Sequence, residues 1–162
     1  MDAQEQQAAA GGVTPHISIA DRRGAEAVDF YKAAFGAREL ARMPTEDGRL
    51  MHAHLLINGG SLMLHDEFPE HVGADEPTGP YNGCTLHLQV ADSDAVWTSA
   101  LEAGAAVVMP LEDQFWGDRY GVLRDPFGHR WSLATHIRDL TPEQMQQAMH
   151  EAMGAGQAET PA

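Results

Sequence analysis

The sequence predicts an α+β fold made of two tandem β-α-β-β-β modules, and an internal repeat is the main reason. Residues 14–21 and 85–92 both read T-x-H-[IL]-x-[IV]-A-D, so each shared position recurs 71 residues later (14 to 85, 16 to 87, 21 to 92). Both copies alternate as half-buried strands do. Each is followed by an amphipathic run that ends in glycine, at Gly36 and Gly104. A repeat of fixed period indicates duplicated structural units.

Module one is predicted to span residues 13–65 and module two residues 84–136. In module one, alternation and turn residues predict strands at 13–20, 35–43, 49–57 and 61–65 around a helix at 25–35. In module two the same reasoning predicts a strand at 85–90 and a helix that begins at Asp92 or Ser93. It then predicts a strand at 105–109 closed by Pro110, and a hairpin of 120–124 with 130–135 across Asp125-Pro126-Phe127-Gly128.

The segments outside the modules differ from them in composition. Residues 1–12 and 154–162 are rich in Gln, Ala, Gly and Glu and are predicted to be disordered tails. Residues 66–83 lack periodicity and are predicted to be a linker that covers a cavity. Thr141 and Pro142 start a predicted helix at 141–153. Its apolar face is expected to dock on the body or on a partner subunit; it consists of Met145, Ala148, Met149 and Ala152.

Composition excludes several classes of protein. The 24 acidic residues outnumber the 10 basic ones and give a formal charge of −14, which disfavours nucleic acid and anionic membrane partners. No apolar run is long enough for a transmembrane helix. Cys84 is the single cysteine, so an intramolecular disulfide is excluded, and we expect a cytoplasmic protein. A catalytic role for Cys84 is not expected, because an acidic chain does not favour a thiolate.

Four segments carry a resemblance to a known family: residues 13–16, 27–37, 51–54 and 116–131, the last reading WGDRYGVLRDPFGHRW. Together with the two modules, they resemble the vicinal oxygen chelate superfamily, which includes glyoxalase I, bleomycin resistance proteins and extradiol dioxygenases, and in particular its PhnB-like branch. The resemblance covers about residues 13–140. It implies a curled mixed sheet with a cup-shaped cavity that holds a small molecule, and it implies a homodimer.

The resemblance also implies where a metal would be bound. Metal-dependent members take one ligand from the first strand and one from the last strand of each module. In this chain those four positions are Thr14, Met63, Thr85 and Ser132. Hydroxyls and a thioether are poor ligands for Zn²⁺, Ni²⁺ or Fe²⁺. We therefore expect no metal cofactor at the usual place.

Histidines near these positions provide the alternatives. His16 and His87 lie two residues after the threonines, and His65 and His136 follow the last-strand positions, so all are expected to face the cup. His54 shares a face with His52. A displaced divalent metal site of His16, His54 and His87 is one interpretation. Hydrogen bonding to a ligand is the other.

Further candidate ligand contacts lie on the motif at 116–131. Trp116 would stack on a flat ligand and Arg119 would hold an anion, although both also suit a structural corner in which Arg119 pairs with Asp118. Trp131 is predicted to belong either to the core or to the cup wall. The leading hypothesis is a metal-free cup that binds a small organic molecule through His16, His54, His87, Met63, Trp116, Arg119, Trp131 and Ser132.

Two enzymatic alternatives remain open. A metal-dependent enzyme of this type would be a lyase, isomerase or dioxygenase that stabilises charge on vicinal oxygens. A metal-free enzyme would use His16 and His87 as general acid and base, since the pKa of histidine suits neutral pH. Sequestration, in contrast, requires no chemistry.

Overall fold

The computed structural model describes residues 12–71 and 83–155 and confirms the duplicated α+β architecture. The predicted tails and linker fall largely on residues 1–11, 72–82 and 156–162, which lie outside the described residues. None of the described helices is long and apolar enough to cross a membrane. In chain order the elements are β1 (His16–Ile19), α1 (Gly24–Phe35), β2 (Arg38–Pro44), β3 (Leu50–Ile57), β4 (Gly60–Asp66), β5 (Thr85–Gln89), α2 (Ser93–Ala103), β6 (Ala106–Asp113), β7 (Asp118–Arg124), β8 (Arg130–His136) and α3 (Pro142–Ala155).

Each module forms its own four-stranded mixed sheet. The strand order is β1-β4-β3-β2 in module one and β5-β8-β7-β6 in module two. The first strand pairs in parallel with the last, and the other pairs are antiparallel. The register places His16 opposite Met63 in one sheet and His87 opposite Ser132 in the other. The repeated strands therefore occupy equivalent places.

The helices end as their glycines predict. Gly36 follows α1 with φ 65°, and Gly104 follows α2 with φ 115°, both in the left-handed region that favours glycine. Asp92 caps α2 by accepting a hydrogen bond from the Ala95 amide. α3 begins with a reciprocal capping box between Thr141 and Gln144.

α1 and α2 lie side by side and cover one face of the two sheets. Apolar side chains of the inner strands on that face are buried, whereas those of opposite parity face away from the helices. In β4, for example, Leu62 and Leu64 are buried, while Ser61, Met63 and His65 alternate with them and are only half-buried. We call the side opposite α1 and α2 the open face of each sheet. Among the candidate residues on this face, His16 and His87 are exposed and Met63 is half-buried, whereas His54 and Ser132 are buried.

The turn at residues 125–129 joins the two modules. The Asp125 carboxylate accepts hydrogen bonds from the Tyr31 hydroxyl of α1 at 2.7 Å and from Trp131 Nε1 at 2.9 Å. It also accepts hydrogen bonds from the backbone amides of Phe127 and His129, each at 2.9 Å. From module one, Arg23 reaches the same turn and donates to the Pro126 carbonyl at 3.0 Å. This turn was predicted only as a hairpin connection.

A second buried carboxylate fixes the start of α1. Asp66, predicted to belong to the linker, is the last residue of β4 and is fully buried. Its two carboxylate oxygens accept hydrogen bonds from the backbone amides of Gly24, at 2.7 Å, and Leu50, at 2.6 Å. A Cβ at Gly24 would overlap this carboxylate, so only glycine fits there. Asp66 therefore links α1, β3 and β4.

One further prediction needs correction, and another stays open. β6 does not stop at Pro110 but runs on to Asp113, with its register shifted on either side of Met109. Proline is tolerated there because β6 is an edge strand. On the predicted apolar face of α3, Met145 and Ala148 are half-buried and Met149 is 39% exposed within the described chain. Docking of this face on a partner subunit stays a prediction.

We expect Tyr31→Phe to lower the free energy of unfolding by about 1–3 kcal/mol, because a buried carboxylate loses one of its donors. Chemical denaturation checks this value. Tyr120→Phe is the matched control: Tyr120 is half-buried, and its change should stay within about 0.5 kcal/mol. Equal losses in the two variants would contradict a structural role for the Tyr31–Asp125 bond.

Candidate functional site

Four histidines occupy the open face of module one, on three adjacent strands. His16 Nε2 lies 3.0 Å from His65 Nδ1, and His65 Nε2 lies 3.3 Å from the Ser18 hydroxyl. The His52 ring packs edge-on against His16 with centroids 5.6 Å apart. His54 is 7% exposed and contacts the Ser61 hydroxyl at 3.0 Å. The open face of module one is therefore lined by four polar imidazole side chains.

Burial and crowding keep three of these imidazoles neutral. Desolvation lowers the pKa of His16 below its ordinary value, and the neighbouring His65 and His52 lower it further. Desolvation also lowers the pKa of His54, with a smaller contribution from His52. The pKa of His65 is lowered by desolvation despite the opposing charges of Asp66 and Glu67. At neutral pH these side chains can both donate and accept hydrogen bonds.

The open face of module two contains a matching polar pair. His87 Nδ1 lies 2.8 Å from Ser132 Oγ, and His87 Nε2 lies 3.1 Å from Gln89 Oε1. The serine hydroxyl can donate or accept, so it can pair with Nδ1 in either tautomer of the ring. Ser132 is 3% exposed, whereas His87 is exposed. The two contacts therefore hold the orientation of an accessible imidazole.

Aromatic side chains extend this polar pair along the sheet. Tyr120 stacks on His87 with ring centroids 6.3 Å apart and an interplanar angle of 21°. Trp116 packs edge-on against Tyr120 at 5.4 Å. Trp116 therefore lies next to Tyr120 at the edge of the open face, and its contact with a ligand stays a prediction.

The two sheets meet along a seam that contains a cavity of about 380 Å³. Its lining includes Pro15 and Ser61 from module one and Thr85 and His87 from module two. Asn58 closes one end by donating to the Gln89 carbonyl at 2.8 Å. His129 bridges the seam through the Ser18 carbonyl at 3.1 Å. His87 lines this cavity, whereas the four histidines of module one do not.

Two predicted ligand contacts lie on the other side of the sheet. Arg119 faces α2, where it forms a bidentate pair with Asp94 at 2.8 and 2.9 Å and a further bond to Asp113 at 3.0 Å. Its expected partner Asp118 instead contacts His136. Arg119 was predicted to hold an anion in the cup. Its side chain instead points toward α2, because strand parity places it on the helix side of the sheet.

Trp131 occupies the core rather than the open face, which decides between the two predicted positions. It is 2% exposed and packs against Phe35 with ring centroids 4.5 Å apart. Because its indole also donates to Asp125, the ring is held on the helix side of β8. Trp131 also contributes to the lining of the seam cavity. His136, predicted to face inward, lies at the exposed end of β8 beside Asp118 and Asp139.

The positions at which related proteins would hold a metal do not suit one here. Ser132 Oγ is engaged by His87, and Met63 offers a thioether opposite His16. Nor are the described histidines, cysteine and carboxylates arranged in any group of three or more that could hold a metal ion. His16, His54 and His87 each have other partners: His65, Ser61 and Ser132, respectively.

We expect the free energy of unfolding to decrease as the pH falls from about 7.5 to about 5.5. A histidine whose pKa is lowered by folding contributes stability above its unfolded value of 6.5 and loses it as the pH falls through the folded value. His65→Gln should flatten this dependence, since it removes one such group and relieves His16. Chemical denaturation at several pH values measures it.

The control for this experiment is His150→Gln on the exposed surface of α3. His136 acts in the opposite direction, because Asp139 and Asp118 raise its pKa, but its contribution is the same in every variant. An unchanged pH dependence in His65→Gln would contradict the account of the cluster.

Comparisons with known proteins agree with the fold and the duplicated modules. A protein of Mycobacterium tuberculosis H37Rv, described only as the uncharacterised protein Rv0887c, is 49% identical over 140 residues, covering 85% of this chain and 81% of its own length. The crystal structure of TioX from Micromonospora sp. ML1 matches with a TM-score of 0.59 and 29% identity, covering 78% of this chain and 100% of TioX.

A PhnB protein from Bacillus cereus shares the fold with a TM-score of 0.58 at 21% identity, covering 77% of this chain and 99% of its own. The family model described as the glyoxalase/bleomycin resistance protein/dioxygenase superfamily matches residues 14–133, which is most of the two modules. The chain belongs to the glyoxalase/bleomycin resistance protein/dioxygenase superfamily.

Proposed function

We propose that this chain binds a small organic molecule on the open faces of its two sheets and does so without a metal. The observation that carries the proposal is the pair formed by His87 and Ser132, which orients an exposed imidazole at the seam cavity. His16 and His54 would supply further hydrogen bonds from module one. Met63, half-buried opposite His16, would supply apolar contact.

Sequestration of an antibiotic or a metabolite in the cytoplasm is the simplest activity of such a site. Binding of this kind needs shape, hydrogen bonds and apolar contact, but no nucleophile or Lewis acid. Trp116 and Tyr120 favour a flat or aromatic ligand, since their rings border the polar pair.

We also propose that two chains associate. Exposed apolar side chains support this: Val107 on β6 is 50% exposed and Met153 on α3 is 66% exposed. Contact with a second copy would remove such side chains from water. Light scattering at micromolar concentration should give the mass of two chains, and the mass of one would contradict it.

Acid–base catalysis without a metal is a second candidate, and the geometry of His87 favours it. Ser132 holds the ring at Nδ1, which leaves Nε2, beside the exposed Gln89 side chain, as the nitrogen that would exchange a proton with a substrate. In this candidate Nδ1 carries the ring proton and donates it to Ser132 Oγ, Nε2 would accept a proton from the bound substrate, and His16 would return one from module one. Turnover of a stabilising compound, lost in His87→Ala, would distinguish it from sequestration.

A thermal-shift screen of aromatic metabolites and glycopeptide-like antibiotics tests the binding proposal. We expect at least one compound to raise the Tm of the wild-type protein. His16→Ala and His87→Ala should each weaken its binding by about two- to tenfold, as loss of a neutral hydrogen bond does. The double variant should lose most of the shift.

The matched control is His150→Ala, an exposed histidine on α3, which should retain the full shift. The proposal fails if no compound stabilises the wild-type protein, or if the double variant responds as strongly as the wild type.

A further inference from the structure

Arg130 lies on the open face of module two without a partner for its charge. It is the first residue of β8 and shares the parity of Ser132, two residues on. Its Nε atom is buried, yet no hydrogen-bond acceptor contacts it. Within the described part of the chain, no carboxylate forms a salt bridge with Arg130. A buried donor without an acceptor is destabilising and calls for an explanation.

Other arginines of this acidic chain do have carboxylate partners. Arg49 pairs with Asp47 and Glu70, and Arg119 pairs with Asp94 and Asp113. With a net charge of −14, the chain has carboxylates in excess. The unpaired state of Arg130 therefore does not result from a shortage of acidic residues.

The neighbours of Arg130 strengthen the positive potential around it. Arg124 lies directly opposite on β7, and its Nη1 donates to the Gly128 carbonyl at 2.9 Å. Thr85 lies opposite on β5 and offers an exposed hydroxyl. The two guanidinium groups and the hydroxyl thus form one row across three adjacent strands, a combination suited to anionic oxygens.

The polar pair described above forms the next row of the same face. His87 and Ser132 lie two residues further along β5 and β8, which corresponds to about 6.6 Å of strand. Tyr120 lies in the row after that, opposite Ala134. From one end to the other, the face offers cations, then a hydrogen-bonding pair, then an aromatic ring.

We propose that the ligand of this protein is an organic anion. Its carboxylate, or an equivalent anionic oxygen group, binds Arg130 and Arg124, and its apolar or aromatic body extends over His87 and Ser132 toward Tyr120. The half-buried guanidinium of Arg130 would turn toward the ligand, which would then supply the acceptor that its Nε lacks. This inference rests on the proposed binding function and adds the chemical class of the ligand.

Paired probes test the charge preference by isothermal titration calorimetry. The probes are 2-naphthoate and 2-naphthamide, which share one aromatic body and differ in charge. We expect the wild-type protein to bind the carboxylate about tenfold more tightly than the amide, since bonds to charged groups are the stronger ones. Arg130→Gln should abolish this preference by weakening naphthoate alone.

Arg138→Gln is the matched control, because Arg138 is an exposed arginine beyond the end of β8. It should retain the preference. Arg130→Gln should fold with an unchanged or higher Tm, since it removes a buried donor that lacks an acceptor. Should it unfold, Arg130→Lys provides the second test and should show a reduced preference for naphthoate.

The outcomes separate this inference from the proposal on which it depends. Equal affinity for the two probes, or a preference that survives Arg130→Gln, would overturn the anionic ligand. If neither probe binds, the inference also fails. Neutral compounds that stabilise the protein in the thermal-shift screen would then leave the proposed binding function standing without it.

Discussion

The Asp125 carboxylate is the constraint on which the rest of the structure depends. It accepts hydrogen bonds from Tyr31 in one module and from Trp131 in the other, at 2.7 and 2.9 Å. The four-stranded sheet of each module has an apolar face too small to support a stable domain alone. The two sheets therefore bury those faces against a shared pair of helices, α1 and α2. Because the carboxylate is buried and needs all its donors, it fixes how the modules meet.

That joint determines where polar side chains can be exposed. With the apolar residues of both sheets directed at α1 and α2, alternation along each strand places the other set on the open faces. His16 and His87 thus come to flank one seam although 71 positions separate them (16 to 87). Burial of the apolar core stabilises the strands that position these two histidines.

Much of the architecture could be predicted from the sequence, because the repeat and the periodicity are local signals. His65 was predicted to face inward by period two, and it does contact His16. The side chains that depend on long-range packing were less predictable. Arg119 was assigned to the ligand, but its orientation depends on strand parity and on Asp94 from a helix. The role of Asp125 depends on Tyr31, from the other module. Arg130 gave no signal, since a missing partner is visible only in three dimensions.

The central proposal is that this chain binds a small organic molecule through His16 and His87 without a metal. The most direct measurement is the metal content of protein purified without an affinity tag, determined by mass spectrometry on the folded protein. The account predicts zinc, nickel and iron far below one ion per chain, with ligand-induced stabilisation unchanged by a chelator. A near-stoichiometric content of any one of them, with binding lost on chelation, would contradict it.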